Sequence, residues 1–194
     1  MSYSVQNLSD VLESGGEEFA KALAAGFTCK HNKEIDDYLR DDAIDFTRRS
    51  MTITHLVFEN ETGVLLGYFA LTHKPLTFVG ENLSANQCKR MERFAKINDG
   101  KYMVSAYLIA QIGKNYAEDD GRKISGKDLL DLAKKELMIA KRQVGGQVVF
   151  VEMEQGNESL EKFYKANGFV KFDSRESVEK GKTVVYDQLF LFLK

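Results

Sequence analysis

The chain has 194 residues, 43% hydrophobic and 29% charged, with 27 Lys and Arg set against 29 Asp and Glu for a net charge of −2. That composition excludes a wholly disordered chain, and the length suits one domain, 1–194, with a self-sufficient core. There is no global basic field, which argues against nucleic acid as a partner and leaves only a local patch to gather it.

Cys29 and Cys88 are too few for a disulfide framework, and His31, His55 and His73 show no zinc spacing, so no metal is expected. No apolar run approaches the roughly 18 residues of a membrane span, and the first residues lack the basic and apolar order of a secretory signal. The expectation is a cytoplasmic protein without a membrane partner.

Residues 9–25 read as a helix with Ser9 as N-cap, weakened by Gly15-Gly16 and stopped by Gly26; residues 1–26 are expected to be an N-terminal helical extension. Phe27-Thr28-Cys29 suggests a short strand, and Ile35, Leu39, Ala43 and Phe46 recur at helical spacing. Residues 53–59 and 64–72 read as a hairpin around Glu61-Thr62-Gly63. A helix is expected over 86–95. Residues 102–116 form the longest strand candidate, in which Gly113 marks a bulge or a close backbone approach.

A polar loop, 117–124, leads to a strong helix over 126–144 that Gly145-Gly146 ends. A strand over 148–153, a short helix over 158–166, a strand edge at 170–172 and a last strand over 183–193 complete the chain. The strand–helix–strand unit in the second half makes its two strands parallel neighbours, while the hairpin and the tail add antiparallel pairs. The fold class is α/β of the mixed α+β kind: a central mixed, mostly antiparallel sheet with helices on both faces.

Two segments carry candidate chemistry. Gly121-Arg122-Lys123-Ile124-Ser125-Gly126-Lys127-Asp128 places a capping-box pair, Ser125 and Asp128, at the start of the long helix. Helix N–H groups, the helix dipole, a glycine at Gly126 and the cations Arg122, Lys123 and Lys127 make a phosphate cradle there. The same residues fit most of a P-loop, but Asp128 stands where Ser or Thr should bind magnesium, and the acidic Glu118-Asp119-Asp120 precedes it instead of a strand. The second segment runs from Asn157, a natural N-cap, through Tyr164 about two turns later on the same helix face, to Asn167-Gly168-Phe169.

With Phe163-Tyr164-x-x-x-Gly168-Phe169 and Asn157 upstream, residues 27–193 resemble the GNAT superfamily of acetyl-coenzyme A-dependent N-acetyltransferases. The family's cofactor motif, [Gln/Arg]-x-x-Gly-x-[Gly/Ala], would fall on 121–126. Gly121 stands where Gln or Arg is usual and Ile124 where the first glycine is usual, leaving Arg122 or Lys123 to compensate by charge.

The resemblance implies a splayed parallel strand pair and an amine that attacks the acetyl carbonyl directly. It also implies cofactor contacts from Ile112, Gly113, Lys114, Gly121, Arg122, Lys123, Ile124, Ser125, Gly126, Lys127, Asn157 and Tyr164. Tyr164 would protonate the leaving thiolate, and Glu152 or Glu154, at the end of a strand, would serve as general base. The expected acceptor is a primary amine of a small molecule or protein, and a homodimer is compatible with the sequence.

Phe27-Thr28-Cys29 with Ile35, Tyr38-Leu39 and Ala43 is similar to a subgroup that includes toxins of toxin–antitoxin pairs acetylating aminoacyl-tRNA. The altered glycine motif leaves a third alternative, a non-catalytic coenzyme A-binding module.

Overall fold

The computed structural model describes residues 2–117, 121–179 and 181–194, and it begins with a strand that the hydrophobic pattern does not announce, β1 (Tyr3–Asn7). Helix α1 (Leu8–Ala25) follows at once, and Asn7 rather than Ser9 caps it by accepting from the Ser9 N–H. The glycine pair does weaken the helix: Gly16 sits at φ 78° and ψ 175°, and α1 kinks there. The described chain divides into two compact units, Met1–Thr72 with Ile109–Leu137 and His73–Leu108 with Met138–Lys194.

In the first unit, β1 pairs antiparallel with β2 (Ile53–Glu59), Tyr3 lying opposite Glu59 and Asn7 opposite His55. Helix α1 sends Leu8, Val11, Ala20 and Ala24 into the cluster built by Phe27, Leu39, Leu56 and Tyr68. The segment expected as an extension is therefore a strand of the sheet and a wall of the core.

Phe27-Thr28-Cys29 is irregular rather than a strand. The Thr28 N–H donates to Asn115 Oδ1 at 3.0 Å while its carbonyl accepts from the Tyr116 N–H at 2.7 Å, so a side chain takes the place a ladder partner would have. Ile35, Leu39 and Ala43 do share a buried helical path, but in three pieces: α2 (Lys33–Asp37), a π turn (Tyr38–Asp42) and α3 (Ala43–Arg48). The hairpin stands as expected, β2 pairing with β3 (Leu65–Val79), which runs past Thr72.

In the second unit, α4 (Ala85–Met91) is shorter than expected, opened by a capping box of Ser84 and Gln87 and followed by β4 (Lys96–Asn98), which forms a hairpin with β5 (Lys101–Lys114). Two long strands, β3 and β5, run through both units, as does α5 (Gly126–Val144), whose bounds are those read from the sequence. Strand β6 (Val148–Glu154) pairs in parallel with β5, Ala106–Leu108 against Val148–Phe150.

Helix α6 (Glu158–Ala166) also falls as read. Strands β7 (Val170–Glu179) and β8 (Lys182–Phe192) form a long antiparallel hairpin, and β8 also lies antiparallel to β6. The result is an eight-stranded mixed sheet of order β1-β2-β3-β5-β6-β8-β7, with β4 added to β5.

Candidate functional site

The start of α5 is built as a capped terminus. Ser125 Oγ accepts from the Asp128 N–H at 3.0 Å, and Asp128 Oδ2 accepts from Ser125 Oγ at 2.6 Å and from the Ser125 N–H at 3.4 Å. The Gly126 and Lys127 N–H groups belong to the turn that no helical carbonyl can reach, so they point to whatever meets the helix end. The expected surplus of cations is moderated by neighbours. Lys127 pairs with Asp131 at 2.5 Å and Lys123 pairs with Glu59 at 3.3 Å. The terminus thus offers N–H groups and the helix dipole more than net charge.

The loop before it is held tightly. Gly121 has φ +68° and is buried, and a Cβ there would lie 3.0 Å from the Tyr116 ring, so both its backbone angle and its space require glycine. Its carbonyl accepts from Lys114 Nζ at 2.8 Å, and the same ammonium lies 5.2 Å from the Tyr116 ring centroid. Ile124, standing where the resemblance expects a glycine, is 1% exposed and anchors the loop in the core. Glu118, Asp119 and Asp120 lie outside the described residues. Among the described residues, strand β5 ends at Lys114, ahead of the loop.

On β5, packing alone is reason enough for glycine at Gly113. A Cβ there would meet Ile35 Cγ2 at 2.3 Å and Phe27 Cζ at 3.4 Å. The expected close approach is present, and its partner is the core. Ile112 and Lys114 flank it, both half-buried.

In the second unit, Asn157 caps α6 by accepting from the Leu160 N–H at 3.1 Å, which occupies its side-chain oxygen. Tyr164 is 4% exposed and packed edge-on against Phe163 and Phe169, with ring centroids at 5.3 and 5.4 Å. Its hydroxyl has no hydrogen-bond partner among the described residues, yet it is not sealed. The sealed and unpaired side-chain atoms among them are Thr47 Oγ1 and His55 Nδ1. Burial pushes the Tyr164 phenol well above its ordinary pKa, so it keeps its proton.

The two candidate bases differ sharply. Glu152 is tied down: Arg175 Nε and Nη2 donate to its two oxygens at 2.7 and 2.6 Å, and Gln188 Nε2 donates at 2.7 Å. Burial pushes its carboxyl up, but those donors more than offset it and hold it below the usual range. That argues against the base role the sequence allowed it. Glu154 is exposed at the end of β6 and has no partner among the described residues. His55 stacks on Phe69 with its Nδ1 unpaired, and His73 sits edge-on to Tyr107 at 5.0 Å. Among the described residues, no group of three or more His, Cys, Asp or Glu side chains is arranged to hold a metal, and no helix is long and apolar enough to cross a membrane.

Sequence reasoning missed Tyr3, Glu59, Arg175 and Gln188. Tyr3 lies 120 positions from the loop residue it bonds and Glu59 lies 64 from the same residue, so no local pattern announces them.

No protein-family pattern matches the chain, and no curated protein matches its sequence. Solved structures do match its fold. One is AtaT complexed with acetyl-methionyl-tRNAfMet, with TM-score 0.63 and 18% identity over 98% of this chain and 95% of that one. Another is an AtaT mutant toxin bound to the C-terminus of the antitoxin AtaR and acetyl-CoA, with TM-score 0.60 and 15% identity over 100% and 94%. A third is a probable acetyltransferase from Staphylococcus epidermidis ATCC 12228, with TM-score 0.60 and 14% identity over 100% of both chains. The chain therefore shares the fold of these solved structures along its whole length.

Proposed function

We propose that the protein is an N-acetyltransferase that moves an acetyl group from acetyl-coenzyme A, its co-substrate, to a primary amine of a small molecule or protein. The observation that carries this reading is Tyr164, a buried phenol whose hydroxyl has no partner among the described residues. That hydroxyl is unpaired but not sealed, so it is open to a ligand that supplies the acceptor. The structure of AtaT bound to acetyl-CoA supports the choice of ligand.

In this reading the Gly126 and Lys127 N–H groups take the pyrophosphate, in a loop framed by Gly121, Arg122, Lys123, Ile124 and Ser125. The backbone at Ile112, Gly113 and Lys114 bonds the pantetheine arm. The amine nitrogen bonds to the acetyl carbon, the carbon–sulfur bond breaks, and sulfur leaves as thiolate. The amine proton passes to Glu154, directly or through water. Tyr164 donates a hydrogen bond to the sulfur. A thiol has a pKa of about 8.5 and the buried phenol holds its proton far more tightly, so donation without full transfer is the favourable role. Asn157 supports α6 by capping it.

A specific feature favours a second reading, an aminoacyl-tRNA acceptor as in the AtaT complex. Lys89, Arg93, Lys96 and Lys101 are exposed within a short stretch that holds only Glu92 and Asp99 as acids, a local basic patch on a chain of net charge −2. Thiol release from acetyl-coenzyme A, measured over a panel of small amines, peptide amines and aminoacyl-tRNA, tests both. Turnover with amines or peptides supports the first reading and turnover confined to aminoacyl-tRNA the second. Coenzyme A binding without turnover on any acceptor identifies a non-catalytic module.

A further inference from the structure

Lys123, in the loop before α5, is gripped at both ends by one cross-strand pair. Tyr3 on β1 and Glu59 on β2 are register partners. The Tyr3 hydroxyl donates to the Lys123 carbonyl at 3.2 Å, and Lys123 Nζ donates to Glu59 Oε2 at 3.3 Å. The pair is well shielded, with side-chain exposures of 23% for Lys123 and 11% for Glu59. Thr62, in the β2–β3 turn, donates its hydroxyl to the same Glu59 oxygen at 2.5 Å and is the main reason the carboxyl lies below its usual range. On the other side of the loop, Lys114 holds the Gly121 carbonyl, and Ile124 is buried.

A glycine-rich loop reaches its working shape by backbone freedom. This loop has Ile124 where such a glycine would stand, and it is bounded by side chains from β1, β2 and β5. We propose that Tyr3 and Glu59 are positioning residues that fix the loop so that the α5 N–H groups are preorganised for the pyrophosphate. On this account β1 is part of the nucleotide-binding apparatus, and Lys123 acts as an anchor of the loop with its charge balanced by Glu59. The role rests on the acetyl-coenzyme A reading. Preorganisation lowers the ordering cost of binding, so its loss weakens binding while leaving the chemical step alone.

The test uses Tyr3→Phe, which keeps the ring, and Glu59→Gln, which keeps the shape, each checked for an unchanged folded spectrum. In the first arm, tryptic cleavage after Arg122 and Lys123 is timed without ligand; the variants are expected to be cut several times faster than the parent. In the second arm, KM for acetyl-coenzyme A is expected to rise about tenfold, the scale of one lost hydrogen bond, with kcat within about twofold. Unchanged cleavage overturns the clamp whatever the ligand does. Faster cleavage with unchanged KM overturns the role in binding. A parent protein that takes up no acetyl-coenzyme A overturns the acetyltransferase reading and this role with it.

Discussion

Arg175 closes a two-bond fork on Glu152, Nε to Oε1 at 2.7 Å and Nη2 to Oε2 at 2.6 Å, while its guanidinium carbon sits 5.0 Å from the centre of the Tyr186 ring. A planar fork of this kind is the strong form of an ion pair, and it leaves the carboxylate little basicity.

The first prediction concerns the proton acceptor. Glu154→Gln is expected to lower kcat/KM by about 10²-fold or more, the usual contribution of a general base, and to remove the acid limb of the pH–rate profile. Glu152→Gln is expected to leave that limb in place and to act on stability instead. The Glu152 pKa is lowered on folding, so its stabilisation is present above the unfolded carboxylate value of about 4.3 and is lost as pH falls through the folded value. Thermal unfolding from pH 7 to pH 3 is expected to show a shallower decline in Glu152→Gln than in the parent.

The second prediction concerns Tyr164. Tyr164→Phe removes a single hydroxyl from a buried ring and is expected to reduce thiol release by about 10²-fold or less at every pH from 6 to 9. No phenol ionisation is expected in that range, because burial pushes its pKa up. The sign for stability follows: the contribution of the neutral phenol is complete below about pH 10 and is lost as pH rises through the folded value. Activity that is equal in Tyr164→Phe and the parent removes Tyr164 from the reaction.

The third prediction separates packing from ligand contact at Gly113. Gly113→Ala places a methyl 2.3 Å from Ile35 Cγ2, and the strand is expected to lose about 1–3 kcal/mol through overpacking. Adding Ile35→Ala should recover part of that loss, because it removes the atom in the way. A double-mutant cycle in urea measures the coupling. Additive losses in the double variant contradict the packing account.

The helices that carry periodic apolar stripes and glycine stops, α5 and α6, were legible to the residue, because N-caps, dipole-facing charges and Gly145-Gly146 act locally. The capping box of Ser125 and Asp128 was legible for the same reason. Strand β1 was not: Tyr3–Asn7 is mostly polar and half-buried, and it becomes a strand only because β2 offers an edge. The Phe27-Thr28-Cys29 reading failed because Asn115, far along the chain, satisfies Thr28 with a side chain. The tethering of Glu152 was likewise out of reach, since Arg175 and Gln188 lie on other strands. Gly113 signals a bulge or a close approach, and only the fold names the Ile35 side chain as what meets it.

The fourth prediction uses His55. Its imidazole is 9% exposed, stacks on Phe69 at 5.1 Å and leaves Nδ1 unpaired. Burial holds its pKa below the usual value, against a smaller opposing contribution from the Ile53 backbone. Below about pH 6.5 the unfolded chain binds a proton that the folded one refuses, so stability is lost as pH falls through that window. His55→Leu is expected to flatten the fall in melting temperature between pH 7 and pH 5. An unchanged slope contradicts a neutral buried imidazole.

The central claim is that the α5 start holds the pyrophosphate of acetyl-coenzyme A, and calorimetric titration of the parent and of Gly126→Glu tests it most directly. A carboxylate in the first turn is favourable for the helix itself, so the variant should fold normally while repelling a phosphate. The account predicts saturable binding by the parent and a loss of at least about tenfold in affinity, 1.4 kcal/mol, in the variant. Equal affinity in the two proteins would contradict it.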